Sequence, residues 1–155
     1  MMNTGLSKAR MKRCFLLVFI IGFISCYPAV SSQAMENQTV MKIRVEANGQ
    51  ATVYELNDSA AAKELYHQLP LSTEVEDFGG NEKIFYPPQK LSTNDTPLVV
   101  KAKAGTLAYY APWGDVVMFY KKFGSASGLY ELGEAVSGED SITRMSGSVR
   151  ITQEK

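Results

Sequence analysis

The chain has 155 residues, of which 16 are Lys or Arg, 16 are Asp or Glu and 45% are hydrophobic. This composition is typical of one globular domain. It excludes a disordered acidic tail and a low-complexity chain, and two cysteines are too few for a disulfide-rich scaffold. Composition therefore indicates a compact fold but points to no reaction.

The N-terminal segment has the features of a secretory signal peptide. Residues 1–34 include four basic residues and no acidic residue, and an apolar run over 14–26 follows the basic stretch. Because a helix that spans a bilayer needs about 20 apolar residues, this shorter run favours an export signal over an anchor. Small residues at Ser32 and Ala34 predict cleavage after Ala34, which leaves a polar lead-in over 35–40.

A second mode of processing is also consistent with this segment. Ile24-Ser25-Cys26 resembles the end of a bacterial lipobox, in which the cysteine is acylated and becomes the new N-terminus. Both alternatives predict an exported protein, periplasmic or extracellular. Contact with a membrane is expected only through the signal peptide or through a lipid anchor at Cys26.

Removal of residues 1–34 changes the character of the remaining 121 residues. They carry 12 Lys and Arg against 16 Asp and Glu, a formal charge of −4, and they include no cysteine. Nucleic-acid binding depends on dense positive charge, so no nucleic-acid partner is expected. Disulfides, cysteine nucleophiles and cysteine-based metal sites are excluded as well.

The domain over 41–155 begins with a predicted β-hairpin. Apolar and polar residues alternate over 41–56 on both sides of Asn48-Gly49, a dipeptide typical of two-residue hairpin turns. A helix is predicted from about 59 to 69, with Ser59 as its N-cap and Pro70 directly after it.

The rest of the domain is predicted to be rich in short strands. The predicted strands cover 71–77, 83–86, 98–103, 105–110, 115–122, 129–136 and 148–152. The apolar run Val116–Tyr120 is typical of a strand that is covered on both faces. Short strands at regular spacing with one helix predict a mainly β fold, a closed eight-stranded barrel, rather than βαβ units.

Three stretches, with a glycine-containing tail, carry a resemblance to a known family. They are 56–61, 78–85 and 105–120, followed by 129–138. Together they resemble the cyclophilin-like β-barrel proteins of bacteria, which share the cyclophilin fold and mostly have no assigned activity. The resemblance implies a cyclophilin-like domain over 41–155.

The resemblance raises the question of prolyl isomerase activity. In true cyclophilins a barrel-face arginine polarises the prolyl amide and a glutamine precedes a glycine pair. Here Phe78 stands before Gly79-Gly80, and no arginine lies between Arg44 and Arg144. Lys83 is no equivalent, because an ammonium lacks the planar guanidinium fork. We therefore expect a non-catalytic binding module, with a divergent isomerase or an accessory of an oxidoreductase system as the alternative.

An aromatic loop supplies the candidate binding site. Flat rings before a buried strand can line a recognition cleft for a peptide or small molecule, and they are equally compatible with a plug that fills the barrel end. The glycine- and serine-rich loop over 124–128 is expected to flank the same site. The predicted ligand-binding residues are Tyr110, Trp113, Asp115, Phe85 and Glu82.

Other residues with potential chemistry have simpler interpretations. His67 is the only histidine, so no zinc cluster is expected, and without a Gly-x-Ser-x-Gly elbow a hydrolase is not indicated. Glu74 and Glu76 share one face of a strand, where they either accept a cation or basic peptide or are simply solvated. No glycine-rich nucleotide loop is present, so no cofactor is expected.

Overall fold

The computed structural model of the protein describes residues 40–155. Eight antiparallel strands form a closed barrel in the order β1-β2-β7-β5-β6-β4-β3-β8, and β8 pairs back with β1. The predicted mainly β fold with a closed eight-stranded barrel is therefore confirmed. The strands are β1 (Lys42–Ala47), β2 (Gln50–Leu56), β3 (Leu71–Phe78), β4 (Glu82–Phe85), β5 (Thr106–Tyr110), β6 (Asp115–Phe119), β7 (Leu129–Ser137) and β8 (Gly147–Glu154).

The first hairpin forms where local sequence predicts it. β1 and β2 pair with Ala47 opposite Gln50, so that Asn48 and Gly49 are the two turn residues. Both have positive φ angles, 41° and 76°, which is the backbone that a two-residue turn between right-twisted strands needs. Asparagine and glycine adopt this conformation more readily than other residues, so the dipeptide determines the register of the hairpin.

Residues 40–155 contain one α-helix, α1 (Ala60–His67), which follows β2 and is confirmed within the predicted range. The side chain of Ser59 accepts a hydrogen bond from the backbone N–H of Ala62 at 3.3 Å, as an N-cap does. The helix buries Ala61, Ala62 and Leu65 in the main core. The helix thus packs one short apolar stripe against the main core, and its other face lies in solvent.

Two apolar clusters lie on opposite faces of the same strands. The larger cluster fills the barrel and includes Met118 of β6, whereas Val117 and Phe119 belong to a smaller cluster on the outer face. All five residues of β6 are buried, which confirms the prediction of a strand covered on both faces. The outer cluster consists of Ile84, Val99, Ala102, Ala108, Val117, Phe119 and Leu129.

The predicted strand over 98–103 is wrong. This segment makes only two isolated bridges, Leu98 to Tyr130 and Ala102 to Gly124, and it covers the outer face of the sheet by burying Val99 and Ala102. Eight strands already close the barrel, so no strand edge is free to pair with a ninth. A short 3₁₀ helix over Glu139–Arg144, which periodicity did not predict, connects β7 to β8.

One glycine allows β2 and β7 to approach closely. Gly133 of β7 pairs with Leu56 of β2. A Cβ atom at this position would run into the backbone carbonyl oxygen of Glu55. The close approach therefore depends on the missing side chain rather than on an unusual φ angle.

Candidate ligand-binding cleft

A cavity of about 350 Å³ opens on the outer face of the barrel, between the β3–β4 turn and the β5–β6 turn. Its floor is the outward face of β6, formed by Asp115, Val117 and Phe119. We call it the Trp113 cleft, after the exposed tryptophan at its edge. The other residues that line it are Phe78, Gly79, Asn81, Glu82, Tyr110, Trp113, Phe123, Ala126 and Leu129.

Three aromatic side chains form one wall of the Trp113 cleft. The ring of Trp113 meets that of Phe78 edge to face at 5.1 Å and that of Tyr110 edge to face at 5.4 Å. Trp113 is 50% exposed and Phe78 is 42% exposed, although both are large and apolar. Adjacent exposed rings beside a cavity are typical of a recognition surface rather than of a packed core.

Backbone hydrogen bonds hold the loop that presents Trp113. The carbonyl oxygen of Tyr110 accepts from the N–H groups of both Trp113 and Gly114, at 3.2 and 2.8 Å. Gly114 has a φ of 80°, which lets the chain turn sharply into β6. Pro112 packs directly against Gly128, where a Cβ atom would collide with its ring. The position of Trp113 is therefore fixed by hydrogen bonds within the turn and by the packing of Pro112 against Gly128.

Asp115 is the buried polar group of the cleft. Its side chain is 1% exposed, and within residues 40–155 its Oδ1 atom has no hydrogen-bond partner. Burial raises the pKa of this carboxyl, and a hydrogen bond from its own backbone amide partly opposes the rise. A buried acceptor without a partner costs free energy, so the group is suited to accept a hydrogen bond from a ligand.

Glu82 is a second, half-buried carboxyl in the same lining. Burial, followed by the charge of Asp115, raises its pKa from 4.5 to about 7. The carboxyl of Glu82 thus changes charge near neutral pH, where most glutamates are fully ionised. The Trp113 cleft combines an apolar wall with two carboxyls whose pKa values are both raised by burial.

The structure brings together four of the five predicted site residues. Tyr110, Trp113, Asp115 and Glu82 all line the Trp113 cleft. Phe85 does not, because it is fully buried in the barrel core, opposite Val116 of β6. Side chains alternate along a strand, so Phe85 points inward while its neighbour Ile84 faces the outer cluster.

The sequence could not decide between a cleft and a barrel plug for Trp113, and it also missed several lining residues. The half-exposed ring of Trp113 lies in the cleft and not in the barrel interior. Phe123 stacks on Phe119 at 5.3 Å and is itself 48% exposed. The only signal for Phe123 in the sequence is a lone aromatic residue after two lysines. The loop over 124–128 does flank the cleft, through Ala126.

Other candidate residues lie away from the Trp113 cleft. His67 is exposed on α1, and Glu74 and Glu76 are exposed on β3. Within residues 40–155, no three His, Cys, Asp or Glu side chains cluster so that they could hold a metal ion. No helix in this part of the chain is long and apolar enough to cross a membrane.

Comparison with known proteins agrees with this architecture. The model of the cyclophilin-like family matches residues 45–154, and the chain therefore belongs to that family. A hypothetical protein from Archaeoglobus fulgidus, known from its solution structure, has a similar fold with a TM-score of 0.57. The two chains are 17% identical over 74% of this chain and 95% of that one. No curated protein matches.

The predictions on the N-terminal segment concern residues outside the described part of the chain. They are the signal peptide over 1–34, its cleavage after Ala34 and the alternative lipidation at Cys26. The polar lead-in over 35–40 lies almost wholly outside it as well.

Proposed function

We propose that this protein is a non-catalytic binding domain that holds a small organic ligand or a peptide segment in the Trp113 cleft. One observation carries the proposal: exposed rings of Trp113 and Phe78 contact each other beside a cavity that is also lined by Asp115, whose Oδ1 atom has no hydrogen-bond partner within residues 40–155. Binding sites of this kind are mostly apolar and contain a few placed polar groups. A volume of about 350 Å³ suits a small ligand or one or two side chains.

The positions of the arginines favour binding over prolyl isomerisation. Residues 40–155 contain three arginines, Arg44, Arg144 and Arg150, and none of them lines the cleft. Arg44 pairs with Glu46 at 2.7 Å, and Arg144 donates to the side chain of Gln50. The described part of the cleft thus has no guanidinium that could polarise a prolyl amide.

Truncation of Trp113 tests the proposal. Apolar fragments of neutral, positive and negative charge are titrated into the ¹⁵N-labelled domain, and binding is followed at the amide signals of Gly79 and Gly114. We expect Trp113→Ala to weaken every fragment that binds by about tenfold or more, because a large ring at the edge of the cleft is lost. Val136→Ala is the matched control, since Val136 is 52% exposed and does not line the cleft.

Two results would contradict the proposed function. In one, no fragment of any charge shifts the signals of the cleft. In the other, the protein accelerates isomerisation of a proline-containing tetrapeptide and Trp113→Ala abolishes the acceleration, which would make it an enzyme.

We also propose that the domain is exported. The support is the basic segment and apolar run within 1–34, together with the absence of cysteine after Cys26. Mass spectrometry of the N-terminus of the protein purified from its own cells is expected to give a chain that begins at Met35. A diacylglyceryl group on Cys26 would support the lipoprotein alternative, and an intact Met1 would contradict export by either route.

A further inference from the structure

We propose that the Trp113 cleft binds a primary alkylammonium group, with the buried carboxylate of Asp115 as acceptor and the rings of Tyr110 and Trp113 beside it. The inference rests on the proposed binding function and names the class of its ligand. Such a group is found in free alkylamines and at the end of a lysine side chain.

Asp115 supplies a buried acceptor in the cleft. The side chain is 1% exposed and lines the cavity, yet within the described residues nothing donates to its Oδ1 atom. The cost of leaving this acceptor unsatisfied disappears when a ligand supplies an N–H or O–H donor. An ammonium supplies three donors together with a compensating charge, and such charge-assisted bonds are the stronger kind.

The charges that line the cleft complement a positive ligand. Among residues 40–155, the lining contains two carboxyls, Asp115 and Glu82, and no lysine, arginine or histidine. The ring of Trp113 lies 5.4 Å from Tyr110 and 5.1 Å from Phe78, so the cleft offers several π systems to a cation. Acidic groups and aromatic faces both favour a positive ligand and disfavour an anion.

The floor of the cleft suits an alkyl chain attached to the ammonium. Val117 and Phe119 form an apolar floor between the strand ends that carry Asp115 and Glu82. A bare metal ion would gain nothing from this floor, and within residues 40–155 no third carboxylate or imidazole completes a metal site. An alkyl chain of a few carbons would cover the floor while its ammonium reaches Asp115.

Glu82 is the carboxyl of the cleft that changes charge near neutral pH, and the charged side chains around it have other partners or lie outside the lining. From β3, Asp77 is paired with Lys83 of β4 at 2.5 Å. After β6, the Lys121 ammonium donates to the carbonyl oxygen of Gly80 at 2.9 Å. Lys90, from the segment before β5, packs beside Gly114 outside the lining.

Two tyrosines near these carboxyls stay neutral over the same range. Burial first, and then Asp115, raises the pKa of Tyr86 above its ordinary value. Burial first, and then its hydrogen bond to Asp77, raises the pKa of Tyr120 as well. Loss of the proton from Glu82 between pH 6 and 8 therefore makes the cleft more negative, and an ammonium that is still protonated should bind more tightly.

Hexylamine and its neutral analogue hexan-1-ol test the inference. Fluorescence of Trp113, the only tryptophan, reports binding to the full domain. We expect hexylamine to bind at least tenfold more tightly than hexan-1-ol at pH 8, and Asp115→Asn to weaken hexylamine about tenfold, so that most of the preference for the amine is lost. Asp140→Asn, at an exposed site on the 3₁₀ helix, is the matched control.

A pH series gives a second readout that does not depend on the folding of Asp115→Asn. Hexylamine affinity is expected to rise about fivefold from pH 6 to pH 8, and Glu82→Gln is expected to remove the rise. Nα-acetyl-lysine-N-methylamide distinguishes the sources of the group. Binding tighter than that of hexylamine supports a lysine side chain, and weaker binding supports a free amine.

The outcomes separate this inference from the proposed function. Equal binding of hexylamine and hexan-1-ol, or amine affinity that falls as the pH rises, would overturn the ammonium ligand and leave a binding cleft for neutral molecules. Displacement of hexylamine by calcium chloride would assign the carboxyls to a metal ion instead. If neither probe nor any fragment in the charge series binds, both the inference and the proposed function fail.

Discussion

Substitution of Gly133 by alanine is expected to lower the free energy of unfolding by about 3 kcal/mol. A Cβ atom at this position of β7 would clash with the carbonyl oxygen of Glu55 and the Cα of Leu56 in β2. Those atoms belong to the backbone, so relief requires β2 and β7 to separate. The separation would weaken a strand pair that extends from Val53 opposite Ser137 to Leu56 opposite Gly133.

Urea unfolding followed by far-UV circular dichroism measures this loss. Ser137→Ala, on the same strand at an exposed position, serves as the control and is expected to change stability by less than about 0.5 kcal/mol. A Gly133→Ala variant as stable as the Ser137→Ala variant would show that the barrel tolerates a wider spacing of β2 and β7 than the structure implies.

Stability is expected to fall as the pH rises from about 4.5 to about 7, because Glu82 binds its proton more tightly in the folded protein. Its pKa rises from 4.5 to about 7 on folding through burial and then through the charge of Asp115. In this range the folded state holds more protons than the unfolded state, so raising the pH favours unfolding. Because Glu82 is only half-buried, solvent limits the effect to about 1 kcal/mol.

Glu82→Gln removes the carboxyl that ionises. The difference between this variant and the wild type therefore gives the contribution of Glu82 to the pH dependence of stability. We expect this variant to be more stable than the wild type by about 1 kcal/mol at pH 8 and to match it at pH 4.5, in urea unfolding at each pH. Glu74→Gln, at an exposed position of β3, is the control and should keep the wild-type dependence. If Glu82→Gln follows the same pH dependence as the wild type, the folded state does not hold the proton on Glu82.

Elements that local chemistry determines were predictable from the sequence. Asn48-Gly49 favours a turn with two positive φ angles, and the hairpin of β1 and β2 has the predicted location. Ser59 and Pro70 delimit the helix through capping and through loss of an N–H donor, and the observed helix Ala60–His67 lies between them. These signals act within a few residues, so they need no information about the rest of the fold.

The segment over 98–103 was predicted wrongly because strand pairing depends on the whole fold. Its β-prone residues are compatible with a strand, yet the segment lies across the outside of the sheet and makes two isolated bridges. Whether a β-prone segment pairs depends on whether an edge is free for it. The closure of the barrel by β8 and β1 removes that edge, and closure is a property of all eight strands together.

The candidate site was also predictable only in part from the sequence. Residue types pointed to Trp113, Tyr110 and Asp115, since aromatic rings and a carboxyl in one loop suggest recognition. Which rings face the cleft depends on strand alternation and register: Phe85 faces the barrel core, whereas Phe119 faces the cleft. A shift of one residue along a strand moves a side chain to the opposite face of the sheet.

By itself, the sequence predicted the mainly β barrel with one helix. It also predicted that the aromatic loop forms the candidate binding site. The sequence grouped Glu82 and Asp115, 33 positions apart, in one predicted site with Phe85. Only the tertiary structure decided that the two carboxyls line one cleft while Phe85 lies in the barrel core. Their shared environment raises the pKa of each through burial, and the charge of Asp115 raises that of Glu82 further. Burial and through-space charge depend on which strands the barrel places side by side, and neither is encoded in local sequence.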